Sequence, residues 1–147
     1  MQAKLIQNPE LVKQILIEVD EYVAEDNSPD PRDIPEEFFP PVIALRGEDG
    51  VHGIIAWKPF SENVTHLSLA IRPEYRGHRD NIELARMGVQ ACQNITQTVK
   101  FLMMVPVPYK DQLRFAQRVG FQREGVLKNS FRHNDVMVDQ YLLGLTV

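Results

Sequence analysis

Hydrophobic positions along the chain follow two periods, and each switch between them marks an element. Residues 3–6 (AKLI) predict a short opening strand. Asn8 and Pro9 read as a cap and first helical residue. Leu11, Val12, Ile15, Leu16, Val19 and Val23 then recur at helical spacing, predicting an amphipathic helix over 9–24. Five of the ten prolines fall between Pro29 and Pro41 and forbid a long regular element there. Residues 35–39 have room for one helical turn, and Phe38 and Phe39 are expected to pin the segment as an ordered loop or lid.

From residue 42 the period falls to two. VIALRG (42–47), the turn Glu48-Asp49-Gly50 and VHGIIAWKPF (51–60) predict a hairpin. VTHLSLAI (64–71) predicts a third strand, with Leu67, Leu69 and Ile71 opposite His66, Ser68 and Ala70. A helix over 80–97 carries Ile82, Leu84, Ala85, Val89 and Cys92 on its apolar stripe. VKFLMMV (99–105) is nearly continuous in apolar residues, as a strand buried on both faces requires. After PVPY, a helix over 110–119 ends at Gly120, and strands over 121–127 and 135–145 flank a turn near His133-Asn134. Mixed strands with two late crossovers predict an α/β or α+β sandwich in a single domain, 1–147.

Composition narrows the function classes. The chain has 147 residues, 44% hydrophobic and 24% charged, as a globular domain requires. Its net charge is -4, but residues 1–73 hold 6 basic and 13 acidic side chains and residues 74–147 hold 10 and 7. A sequence pI near 5.5 argues against nucleic acid as a partner. The basic half suits a small polyanion, and the acids of the first half, among them Glu18, Glu21, Glu25 and Asp26, suit a cationic acceptor or a solvated face. The single cysteine, Cys92, excludes an internal disulfide and reads as a buried apolar thiol. The four histidines lack HxxxH or HExxH spacing, so no metal site is expected within one element. No apolar run reaches a membrane span and no signal peptide is evident, so neither membrane nor metal is expected and the cytoplasm is the expected location.

Chemistry concentrates after strand 64–71, in Arg72-Pro73-Glu74-Tyr75-Arg76-Gly77-His78-Arg79-Asp80-Asn81. A strand-turn-helix junction offers backbone N–H groups and the positive end of a helix dipole to phosphate. Arg72, Arg76 and Arg79 add paired donors.

LSLAIRPEYRG, together with RFAQRVGFQREGVLKNSFRHNDVMVDQYLL, resembles the GNAT family of N-acetyltransferases. Gly120-Phe121, Glu124-Gly125 and Asp139 fall where that family's ending places its recurring residues. The resemblance implies a mixed, mostly antiparallel twisted sheet flanked by helices, with strands 64–71 and 99–105 splayed. It also implies acetyl-CoA as cofactor, a small-molecule or protein amine as acceptor, and direct transfer with a base and an acid. Leu69, Ala70 and Ile71 would pair with pantetheine amides, and Arg76, Gly77, His78, Arg79 and Asn81 would form the pyrophosphate turn. Glu62 and His66 stand where the family places its base, and Tyr109 is the acid candidate, because Ala116 occupies the usual tyrosine position.

A departure from the family's pattern and a second likeness bear on that expectation. Aligned from Arg76, the family's Gln/Arg-x-x-Gly-x-Gly/Ala signature has Arg79 and Asn81 where small residues are needed; shifted by two, Gly77 fits and Arg79 again does not. Side chains at 79 and 81 are therefore expected to occlude the cradle, with Arg79 supplying charge as the alternative. DQLRFAQRVGF also looks like a stretch of acetyltransferase-like bacteriophage proteins. That implies a second reading, an inactive structural protein located in the virion, with phage structural proteins as partners.

Overall fold

The computed structural model describes residues 1–23 and 28–147, and the side chains of all of these except 21–23. The side chains of Glu21, Glu25 and Asp26, and residue 24 at the predicted end of the first helix, lie outside what is described. Seven strands and three α-helices follow the predicted order: β1 (Gln2–Ile6), α1 (Pro9–Val23), β2 (Val42–Gly47), β3 (Gly50–Pro59), β4 (Val64–Ile71), α2 (Asn81–Thr96), β5 (Lys100–Pro106), α3 (Lys110–Val119), β6 (Gln122–His133) and β7 (Val136–Thr146). They form one sheet in the order β1-β2-β3-β4-β5-β7-β6, antiparallel except where β4 meets β5.

Alternation along β2 distributes the core between the two faces of the sheet. Ile43 and Leu45 join Leu84, Val89, Phe101, Ala116 and Leu143 in a core beneath α2 and α3. Val42 and Ala44 join Val12, Ile15 and Ile54 beneath α1. Helices therefore cover both faces, and the sheet is stabilised mainly by apolar burial. Cys92 lies wholly inside the α2 core.

The proline-rich segment forms two short 3-10 turns, at Pro31–Asp33 and Glu36–Phe38. Asp30 caps the first by accepting from the Arg32 amide. Phe39 packs against the α1 core, but Phe38 is 71% exposed, so only one of the two aromatics anchors the loop. The hairpin β6–β7 is longer than expected. β6 runs on to His133 across a bulge between Leu127 and Phe131, where Asn129 has φ 50°. The polar stretch Lys128–Ser130 hid this continuation, since a bulge breaks period-two alternation.

Candidate active site

β4 and β5 pair in parallel at only three positions, Val64 with Lys100, Thr65 with Phe101 and His66 with Leu102. Beyond that they part, while β4 stays registered on β3 to Ile71 and β5 stays registered on β7 to Pro106. The splayed pair expected of strands 64–71 and 99–105 is present, with His66 at its vertex.

Strand alternation shows which groups face the opening. The Arg72 amide donates to His52 on β3, so the backbone groups of Ala70 also point toward β3, and those of Leu69 and Ile71 toward the gap. Across the gap, Val107 donates to the Asp139 carbonyl on β7, which turns the backbone groups of Met104 and Pro106 toward β4. Pro106 has no N–H to offer there, which removes one donor from any continued ladder.

His66 is half-buried and lies opposite Lys58 on β3. Burial first, and the Lys58 charge second, hold its pKa below the ordinary 6.5, so the ring is neutral at pH 7. Glu62 sits exposed in the β3–β4 turn, at least ~7 Å along the strand from His66. Tyr109 precedes α3, three residues beyond Pro106, and its hydroxyl is 3.1 Å from Nδ1 of His133 on β6. That partner is not readable from local spacing, because 24 residues separate the two.

The turn after β4 departs from expectation in detail. Arg72 does not face phosphate: its Nε and Nη2 donate to the Glu18 carboxylate of α1 at 2.7 and 2.9 Å. That pair holds Glu18 below the ordinary carboxylate range and raises the Arg72 pKa further. Pro73–Tyr75 forms a 3-10 turn, and the amides of Tyr75, Arg76, His78, Asp80 and Asn81 are spent within the turn. The amides of Gly77 and Arg79 take no part in those bonds.

Neither side chain expected to occlude the cradle does so. Arg79 is 94% exposed. Asn81 is buried and turned inward, its Nδ2 donating to the Tyr75 carbonyl at 2.8 Å and its Oδ1 lying 2.9 Å from His52 Nδ1. His78 is half-buried, and its Nδ1 accepts the Asp80 amide. Gly77 has φ +75°, and a Cβ there would meet nothing within 4 Å, so the position needs glycine for its backbone angle and opens on free space.

His52 itself is wholly buried on β3, stacked on Tyr75 at 4.1 Å. Its Nε2 lies 2.6 Å from Oδ1 of Asp49 in the β2–β3 turn, and that hydrogen bond is the main cause holding the Asp49 carboxyl below its usual range. Sequence reasoning missed this cluster. The only signal was a histidine inside the otherwise apolar run VHGII.

No family model matches the chain, and no curated protein matches it significantly. Solved structures do match. Ribosomal-protein-alanine N-acetyltransferase from Brucella melitensis superposes with a TM-score of 0.81 at 14% identity, over 100% of both chains. Spermidine N-acetyltransferase from Vibrio cholerae, solved with CoA and spermine, gives 0.79 at 14% identity over 99% of this chain and 95% of that one. A GNAT-family acetyltransferase from Bacillus anthracis gives 0.60 at 20% identity over 72% and 64%. This chain has the GNAT fold. Identities this low establish the architecture alone.

The Vibrio structure holds CoA, and two features of this chain bear on whether a ligand of that kind would fit. An open strand edge is available at Leu69 and Ile71, and the turn at Gly77 is unobstructed. A separate groove of about 460 Å³ between β1 and α2, lined by Ala3, Met87, Gln90 and Ala91, shares none of these residues. Among the described residues, no helix is long and apolar enough to cross a membrane.

Proposed function

We propose that the chain is an N-acyltransferase that moves an acetyl group from acetyl-CoA to the amine of a small molecule or protein. One observation carries this reading: β4 and β5 part just beyond His66, leaving the edge groups of Leu69 and Ile71 open to a ligand with amides of its own. The backbone of Leu69 and Ile71 would hold the pantetheine arm; Ala70, directed at β3, would not. The amides of Gly77 and Arg79 and the guanidinium groups of Arg76 and Arg79 would hold the pyrophosphate. His78 and Asn81 would shape that turn rather than touch the ligand.

Bound acetyl-CoA supplies an activated thioester. His66, neutral at pH 7, takes the proton that the acceptor amine must lose, directly or through one water. Glu62, exposed at the near turn, would attract a cationic acceptor. Tyr109, held by His133, would return a proton to the leaving sulfur. A cytoplasmic location suits this chemistry, since acyl-CoA is made and used there. The amine specificities named for the Brucella and Vibrio proteins, a ribosomal protein and spermidine, mark the two acceptor classes to try first. No observation favours the bacteriophage-particle reading.

Calorimetric titration with acetyl-CoA and CoA tests the proposal. Micromolar binding is expected for both. No heat at millimolar ligand would overturn it.

A further inference from the structure

We propose that Asp49, His52 and His78 form a binding site for a zinc-class divalent cation that clamps the turn before α2 to the β2–β3 hairpin. The site is independent of the acyltransferase reading. One ligand atom from each residue lies within 4.8 Å of the other two, and no two of the three share an element.

The hydrogen bonds around His52 point to a cation. Asn81 Nδ2 donates to the Tyr75 carbonyl, so it is Asn81 Oδ1 that faces His52 Nδ1, and Nδ1 must carry the hydrogen. Nε2 then faces an Asp49 carboxylate oxygen 2.6 Å away, the distance of a proton-bridged pair, and a metal ion taking the proton's place would widen that gap. The arrangement around Nδ1 is the one that orients a metal-bound histidine, whose second ring nitrogen donates to a fixed oxygen.

His78 completes the set. Its Nε2 lies 3.9 Å from the second Asp49 oxygen. Its Nδ1 accepts the Asp80 amide at 3.1 Å. Coordination through Nε2 moves the ring hydrogen to Nδ1, where the Asp80 carboxylate, at 3.8 Å, stands ready to accept it. Ligands on one tetrahedral zinc stand roughly 3.3 Å apart. The site therefore needs one short gap to widen and two longer ones to close. Asp49 and His78, with side chains 54% and 32% exposed, can make that movement; His52 is fixed.

Gly47 on β2 faces the cluster, and a Cβ there would come within 2.5 Å of His52 Nε2 and 3.2 Å of Asp49 Oδ1, so any larger residue would collide with two of the three ligands. The exposed side of Asp49 leaves a fourth position open to water. Two imidazoles and one carboxylate suit Zn²⁺, Ni²⁺ or Co²⁺ far better than Mg²⁺ or Ca²⁺.

Chelator-treated full-length protein titrated with Zn²⁺ by calorimetry tests the site. One equivalent should bind, with a rise in melting temperature. Asp49→Asn and His78→Ala, both at partly exposed positions, should each weaken binding at least tenfold while circular dichroism shows the fold retained. Co²⁺ should give the visible absorption of a low-coordinate site with the wild type and lose it with either variant. Absence of saturable Zn²⁺ binding would overturn the proposal, and so would unchanged affinity in both variants.

Discussion

Arg72, at the end of β4, grips Glu18, in the middle of α1, through two hydrogen bonds to the two oxygens of one carboxylate. The contact joins the strand that opens the candidate cleft to the helix covering the opposite face of the sheet. It also takes one arginine out of the basic turn, leaving Arg76 and Arg79 as the cations nearest the proposed phosphate site.

Breaking that grip should reduce stability in a pH-dependent way. The folded pKa of Glu18 is lowered from 4.5, so its contribution is fully present above that value and is lost as pH falls through the folded pKa. Arg72→Ala should cost about 1–2 kcal/mol at pH 7 and flatten the acid limb of stability against pH. Urea unfolding of both proteins from pH 7 down to the acid transition measures this.

His66→Ala should lower kcat by about 10²–10⁴-fold and leave the affinity for acetyl-CoA nearly unchanged. The acid limb of activity should fall below the ordinary histidine value of 6.5, because burial and Lys58 disfavour the charged ring. Removing the Lys58 charge with Lys58→Met should move that limb upward. Steady-state rates across pH 5–8 would show the shift; an unmoved limb would remove His66 from the role.

Arg79 stands in solvent, so Arg79→Gly should change stability by less than about 0.5 kcal/mol. If the side chain blocked the cradle, this variant would bind CoA far more tightly than the wild type. The expected change is instead a modest loss that shrinks as salt is raised, as for an exposed charge attracted to phosphate. Thermal melts and CoA titrations at two salt concentrations distinguish these outcomes.

Burial pushes the Cys92 thiol up to about 11. Native protein should therefore resist a thiol reagent at pH 7–8 and react with one equivalent only once unfolded. Rapid labelling of the native state would contradict the α2 packing.

The expectations that held rest on local rules. Every helix and strand except β6 was legible within a residue or two, because side-chain period depends only on neighbours along the chain. The extension of β6 was not, because a bulge and three polar residues broke its alternation. Phe38 misled for the opposite reason: an aromatic in a proline-rich loop does not say which way it faces.

The candidate site divides along the same line. Leu69, Ala70 and Ile71 were identifiable as one strand end, but only the bond from Arg72 to His52 revealed that Ala70 faces the wrong way. The chemical cost of Arg79 and Asn81 in a glycine-rich signature was plain from residue types. That one side chain leaves for solvent and the other turns to a histidine 29 positions earlier was not.

By itself, then, the sequence determined the element order, the apolar faces and the location of the basic turn, since these follow from spacing along one chain. Tertiary structure alone decided that β4 and β5 part at His66, that Arg72 belongs to Glu18, and that Asp49, His52 and His78 converge. Those facts depend on which distant segments pair and how their side chains compete for partners. No periodicity records that competition.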